Sequence, residues 1–556
     1  MTDHTLPQRP SPEPGVITSA GFRLDGWGLF ATLVAALVLV PVLVSFSSFA
    51  EINRDLLAHL TQFVLPELIL NTVWLILGVA LGVSVLGVSL AWLVAMCDFP
   101  GRRWLDWALL LPLALPAYVT AFVAIDLLDF SGPLQSWLRQ GWGVTGLPDI
   151  RSRGGVIGVM SLALYPYVYL IAKNAFATQG AIALEAAQSL GLSRRQGFVR
   201  VALPMARPWI AAGVMLALME TLADFGTMAV FNYDTFTTAI YKAWYSLFSL
   251  PAAAQLASIL ILFVLLVVVF EQRSRAQMRY STVGRSAASR RISLTPGLAW
   301  LAFAYAVTVL LLAFLIPVTQ LVLWTREVIL QDLDARYWAF AWHSVLLAGM
   351  GALMVVAVGL LLAYAGRHRP GSFMAWTQRL ATLGYAFPGA VLAVGLFIPV
   401  ATLDNWLIDT TRSWFGFQGT GILKGTLLVM LLAYLVRFLA VGFGPIDSGL
   451  HRITRNVDEA ARSLGTSTSG LLTRVHLPML RTSLRTAAVL VFVDIMKEMP
   501  ITLMTRPFGW DTLAVRVFEM TSEGEWARAA LPSLAIVLTG IIPVILLTWS
   551  PRPSRT

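Results

Sequence analysis

The chain has 556 residues, 57% of them hydrophobic and 13% charged, and a formal net charge of +10. Soluble domains are about a quarter charged, so this composition excludes an ordinary soluble protein. The one cysteine, Cys97, excludes an internal disulfide and any multi-cysteine metal site, and reads as a small packing residue.

Apolar runs long enough to cross a bilayer, about 20 residues each, recur along the sequence. They are continuous rather than short and alternating, so they predict an all-α integral membrane protein and not a barrel. Residues 1–27 are polar and proline-rich and predict an N-terminal tail. The run at 28–48 is longer than a signal-peptide core; it predicts a retained helix despite Ser48-Phe49-Ala50 at its end. Further spans are predicted at 67–95, 105–128, 155–173, 209–230 and 251–270, completing a first half at 28–270. Residues 271–298, rich in arginine and serine, predict a linker. Spans at 299–324, 343–365, 377–402, 424–446, 484–505 and 530–549 make a second half at 299–550, followed by a tail at 551–556. Six spans in each half, twelve in all, give both halves one orientation, as parallel repeats do.

With a cytoplasmic N-terminus, Arg102, Arg103, Arg194, Arg195, the cluster from Arg273 to Arg291, Arg367, Arg369, Arg452, Arg455 and Arg552 all fall on the cytoplasmic side. This positive-inside bias puts both termini in the cytoplasm. It assigns the basic surplus to orientation and to the anionic lipid bilayer, not to nucleic acid.

One loop is written twice. Glu185 to Pro204 reads EAAQSLGLSRRQGFVRVALP and Glu459 to Pro478 reads EAARSLGTSTSGLLTRVHLP, with one offset of 274 residues (185 to 459, 191 to 465, 204 to 478). Weaker echoes lie 272 apart: Asn71-Thr72-Val73 with His343-Ser344-Val345, and LPAYV at 115–119 with FPGAV at 387–391. The chain therefore reads as two copies of one pore-forming unit. In the first loop, about 178–208, Ala181 to Leu190 suits a short helix and Gly191 ends it. Ser193 and Gln196 have the spacing of a capping box, and Pro204 suits the start of the next helix. In the second loop, about 451–482, Asn456 and Glu459 have capping-box spacing and Gly465 is the stop. Each loop predicts a firm knob, with paired alanines low enough to enter a groove on another protein.

Glu-Ala-Ala, a glycine six residues on and a Leu-Pro pair beyond it resemble the EAA loop of ABC importer permeases. Glu185, Ala186, Ala187, Gly191, Leu203 and Pro204 match it, as do Glu459, Ala460, Ala461, Gly465, Leu477 and Pro478. METLADFGTMAVFNYDTFTTAIYKAW at 219–244 and MKEMPITLMTRPFGWDTLAVRVFEM at 496–520 resemble the fused ferric-iron permeases, a likeness that omits only the N-terminal tail and linker. The resemblance implies a type I ABC importer permease fold in a bacterial inner membrane. It also implies that the loops are coupling helices docking a homodimer of cytoplasmic ABC ATPase subunits, which bind the ATP. A periplasmic substrate-binding protein would deliver the substrate, and closure of the ATPases would switch the passage from inward to outward access. Thiamine and phosphonate permeases share the fused plan.

The residues themselves carry no phosphate-binding G-x-x-x-x-G-K-[ST], no H-E-x-x-H and no G-x-S-x-G. The six histidines never fall at metal-binding spacing. The sequence thus predicts no catalysis and no cofactor. An ion-gradient secondary transporter would leave the paired loops without a task, and a membrane enzyme would need a polar cluster that is not found.

Glu220 and Asp224 follow Pro204 by sixteen and twenty residues, and Asp494 and Glu498 follow Pro478 by the same steps. Four residues are about one helical turn, so each pair shares a face. A mid-bilayer charge costs about 2.5–3.5 kcal/mol on insertion scales, which predicts a bundle interior or watery passage. Two readings stay open: an acidic ring guiding a cation, or interhelical pairing with Lys497 and Arg437. Tyr165, Tyr167, Tyr169 and Asp126 are weaker candidates. A small trivalent cation prefers hard anionic oxygens, but in the resembled family the binding protein holds the substrate, so no tightly bound metal is expected.

Overall fold

The computed structural model describes residues 26–50, 60–143, 148–180, 187–276, 291–415, 421–467 and 470–548. The first half consists of α1 (Gly26–Ser47), α2 (Leu65–Met96), α3 (Arg102–Ala108), α4 (Ala117–Leu128), α5 (Pro133–Trp142), α6 (Arg153–Ala175), α7 (Leu203–Ala223), α8 (Gly226–Phe231), α9 (Phe236–Tyr245) and α10 (Leu250–Ala276). The second half begins with α11 (Pro296–Leu310), α12 (Ile316–Asp332), α13 (Ala335–His368), α14 (Ser372–Ala381), α15 (Gly389–Phe415) and α16 (Leu428–Arg452). It continues with α17 (Arg455–Ser463), α18 (Leu477–Met496), α19 (Pro500–Thr505), α20 (Leu513–Ser522) and α21 (Trp526–Thr548).

Eleven helical segments among the described residues are long and apolar enough to cross a membrane, one fewer than the twelve runs read from hydropathy. The run at 484–505 is not one helix. It divides into α18 and α19, because Pro500 has no N–H to continue the ladder, and α18 carries Arg481, Arg485 and Asp494. The run at 209–230 likewise breaks at Asp224, whose carboxylate takes the Thr227 N–H at 2.8 Å and so competes with the helix for that donor. The runs at 105–128 and 377–402 each begin with a separate short helix, α3 or α14. Prolines 112 and 116, and Pro388, fall between these helices and the spans α4 and α15.

The duplication is visible in the packed faces. Thr72, Leu75, Val79, Val83, Gly87 and Leu90 form the buried stripe of α2. The residues 272 further on, Ser344, Leu347, Gly351, Val355, Gly359 and Leu362, form that of α13. Small residues in the stripe let backbones approach closely: a Cβ on Gly87 would meet Val168 of α6 at 2.6 Å.

The two halves exchange their first helices. Trp27 of α1 lies 5.8 Å from the ring of Tyr364 and 5.5 Å from that of His368, both on α13, and Pro41 is seated against Gly395 of α15. In mirror fashion Phe303 of α11 packs on Trp104 at 6.4 Å and Trp324 of α12 stacks on Phe122 at 6.1 Å. This exchange explains why one continuous core spans both copies. Most of the linker, 277–290, lies outside the described residues. On its far side Ile292–Ser293 pairs in parallel with Cys97–Asp98, and Cys97 is buried, as a packing residue should be.

Candidate functional site

All four intramembrane acids converge. Glu220, Asp224, Asp494 and Glu498 line one cavity of about 140 Å³ between the halves, together with Tyr118, Tyr167 and Tyr385. Asp224 and Glu498 sit at the two helix breaks and play one structural part. Asp224 Oδ1 accepts the Thr227 N–H at 2.8 Å, and Glu498 Oε1 accepts the Ile501 N–H at 3.1 Å. The pairs are again 274 apart (224 to 498, 227 to 501), so each acid caps the short helix after it.

The symmetry ends at the cations. Arg437 Nε lies 3.3 Å from Glu498 Oε2 and Lys497 Nζ lies 2.9 Å from Asp494 Oδ1. The first-half counterparts of these cations are Ala163 and Ala223 (163 to 437, 223 to 497), both on the cavity wall. Glu220 instead accepts a hydrogen bond from the Tyr385 hydroxyl at 2.8 Å, and among the described residues neither Glu220 nor Asp224 forms an ion pair. The second wall therefore holds its acids in ion pairs and the first, among the described residues, does not. Interhelical pairing accounts for Glu498, through Arg437; Asp494 is paired within the end of its own helix, and Glu220 and Asp224 have hydrogen-bond partners but no ion pair among the described residues.

The tyrosines divide in the same way. Tyr165 and Tyr169 donate to the Leu109 and Asp106 carbonyls at 2.9 and 3.0 Å, holding α6 against the α3 region. Tyr167 lines the cavity, whereas Asp126 does not. Tyr118, not singled out in the sequence, also lines it. Its hydroxyl is buried without a partner, although the residue lies within the LPAYV echo. Among the described residues no three metal-ligating side chains are close enough together to hold an ion tightly.

The second site is the pair of knobs. Glu185 and Ala186 lie outside the described residues. In the remainder of the first knob Leu192 N–H bonds to Ala187 O at 3.0 Å and Gly191 N–H to Gln188 O at 2.9 Å. In the second knob Thr466 bonds to Ala461 at 3.1 Å and Gly465 to Arg462 at 2.9 Å. Both are Schellman-type stops, with φ of +83° at Gly191 and +79° at Gly465. The Ser193–Gln196 capping box forms, with bonds of 3.1 and 3.3 Å. The Asn456–Glu459 box does not: α17 begins at Arg455, so Thr454 takes the cap position and Asn456 falls inside the first turn. Ala187 and Ala461 turn inward, while Ala460 and Glu459 face outward. Leu203-Pro204 and Leu477-Pro478 open α7 and α18. The tips are Leu190 and Leu464, 83% and 87% exposed.

A Cβ on Gly465 would meet nothing within 4 Å, so a side chain there is opposed by backbone conformation alone. Gly465→Ala should cost about 1–2 kcal/mol of local stability, read as faster amide exchange across residues 455–463.

The family of binding-protein-dependent transport system inner membrane components matches residues 84–280 and again 355–552. The Fe(3+)-transport system permease protein FbpB 2 of Haemophilus influenzae is 27% identical over 489 residues, 87% of this chain and 90% of its own length. The ferric transport system permease protein FbpB of Actinobacillus pleuropneumoniae is 22% identical over 465 residues, 79% of this chain and 64% of its own. The molybdenum transport system permease protein ModB of Escherichia coli is 31% identical over 169 residues, 30% of this chain and 72% of its own. Two family matches, on two copies of one helical unit with paired knobs and a shared cavity, establish that the chain belongs to the binding-protein-dependent ABC importer permeases and carries both permease halves in one multi-pass inner-membrane polypeptide.

Proposed function

We propose that this permease translocates ferric iron. The observation that carries the reading is the cavity wall: four carboxylates at paired positions, two of which form no ion pair among the described residues. Hard anionic oxygens suit a small trivalent cation, and the likeness to an iron permease over 87% of the chain supports the same substrate. Glu220 and Asp224 receive the ion in passing.

In this reading the permease halves occupy 28–270 and 299–550, with the tails and linker on the cytoplasmic side together with both termini. A periplasmic binding protein delivers iron on the opposite face. A homodimer of ABC ATPases engages Glu185 to Pro204 and Glu459 to Pro478, and the chain itself hydrolyses nothing.

An oxyanion is the second reading, favoured by Arg437 and Lys497 on the same cavity; both cations, however, are already paired with acids. The test is ATP-dependent uptake by vesicles that hold the chain, its ATPase and its binding protein, offered ferric iron, molybdate, thiamine and phosphonates in turn. Iron alone should accumulate. Accumulation of molybdate or a phosphonate without iron would sink the proposal in favour of the oxyanion reading.

A further inference from the structure

The second knob is fastened to the bundle by a buried ionic network. In the second half, Asp458 of α17 receives both arms of Arg367, at the end of α13: Nε to Oδ2 and Nη2 to Oδ1, each at 2.9 Å. Arg367 Nη1 also donates to the Leu450 and Ile453 carbonyls at the end of α16, at 2.9 Å each. From the other side His476, just ahead of α18, donates from Nε2 to Asp458 Oδ1 at 2.9 Å. The Tyr364 hydroxyl of α13 lies 3.0 Å from His476 Nδ1. His476 is fully buried, and the Arg367 and Asp458 side chains are only 13% and 14% exposed. Burial raises the Asp458 carboxyl, but hydrogen bonds from Arg367 and His476 outweigh it and hold the group below the usual carboxylate range. One carboxylate thus ties the knob helix to three membrane helices at once.

The first half has none of these groups. Its counterparts are Trp92 for Tyr364 and Ala95 for Arg367, 272 apart, with Leu184 for Asp458 and Ala202 for His476, 274 apart. Leu184 lies outside the described residues. Trp92 packs on Phe198 at 4.3 Å and on Phe176 at 5.3 Å. Apolar packing is non-directional, whereas a bidentate arginine–carboxylate pair fixes both distance and orientation. A push on the second knob must move α13, α16 and α18 with it. The corresponding contacts described beside the first knob are apolar and fix no such geometry.

We infer that Arg367, Asp458 and His476 are positioning residues that convert movement of the second knob into reorientation of the membrane helices, so that the two knobs are mechanically unequal. The inference rests on reading the knobs as the ATPase docking points.

The test uses the whole transporter in proteoliposomes, with the ATPases bound, and needs no knowledge of the substrate. In a Cys97→Ser background, Ala163→Cys on the cavity wall reports by its reactivity with a membrane-impermeant thiol reagent which side the cavity faces. Without further change, ATP should alter that reactivity. The variant Arg367→Ala, Asp458→Leu, His476→Ala gives the second knob the first knob's own residues. Apolar replacement of a buried ionic network is often neutral or stabilising for the fold. ATP hydrolysis should persist in this variant while the ATP-dependent change in reactivity falls about ten-fold, some 1.4 kcal/mol of lost coupling. An unaltered change in reactivity would overturn the inference and leave the docking reading standing. If ATP changes nothing even with the network intact, the docking reading itself fails. Should the triple variant not assemble, Arg367→Lys decides: it keeps the charge but lacks the fork, so full coupling in that variant overturns the proposal and reduced coupling supports it.

Discussion

Ala223→Lys should reduce ferric-iron uptake by at least about ten-fold while the transporter still assembles with its ATPases. Position 223 is the counterpart of Lys497, and both line the cavity. A lysine at 223 can reach Glu220 as Lys497 reaches Asp494, at 2.9 Å, and the first wall then acquires an ion pair of its own. Two unit charges about 6 Å apart interact by about 3 kcal/mol at an effective dielectric of about 20, and a trivalent ion triples that. A factor of ten in rate needs only about 1.4 kcal/mol, so even a heavily screened ammonium should dominate. The bundle already accommodates lysine at the equivalent place, so assembly should be unaffected. Ala223→Met, of similar length and no charge, separates electrostatics from narrowing and should keep most of the uptake. Equal loss in the Lys and Met variants would show that the wall acts by shape and not by charge. The oxyanion reading predicts the opposite sign, a gain in uptake of its substrate with Ala223→Lys.

What the sequence revealed and what it hid follow from the range of the forces involved. The knobs, their glycine stops and the four acids were legible because helix capping, left-handed glycines and a one-turn spacing are local. The likeness between halves was legible because a fixed offset survives any fold. The helix breaks at Asp224 and after Met496 were not, since a hydropathy window averages over a capping carboxylate or a single proline. The exchange of α1 and α11–α12 between halves was hidden because contacts such as Trp27 with Tyr364 join residues hundreds of positions apart. The uneven walls fell between these cases: aligning the halves at 274 puts Ala163 under Arg437 and Ala223 under Lys497, a signal present in the sequence. Only the geometry reveals that the cations are spent on Glu498 and Asp494. The Asn456–Glu459 spacing misled because a capping motif fixes which residues can bond, not where the helix begins, and Thr454 starts it earlier.

Leu190→Asp combined with Leu464→Asp should strip the ATPases from the purified chain and abolish uptake. Each leucine stands immediately before the left-handed glycine, at the tip of its knob, 83% and 87% exposed. Around Leu464 the knob helix is polar, from Arg455, Asn456 and Asp458 to Arg462. The leucine is thus the apolar anchor a partner would bury. Burying a leucine contributes about 1.5–3 kcal/mol, and an aspartate in its place would leave an unpaired charge in the contact. In the proposed reading two knobs on one chain engage two ATPases as a linked pair, and such linkage can raise avidity by about 10²–10⁴ over one contact. Either single substitution should therefore weaken co-purification only in part, and the two together more than additively. Replacing Glu185 and Glu459 together should act in the same direction, whereas Leu→Met at both tips should retain the ATPases. Recovery of ATPase with the double Asp variant at the parent ratio would remove the leucines from the interface. Loss with a single variant as complete as with the pair would mean that the complex needs both knobs for its first contact, and that bivalency adds nothing.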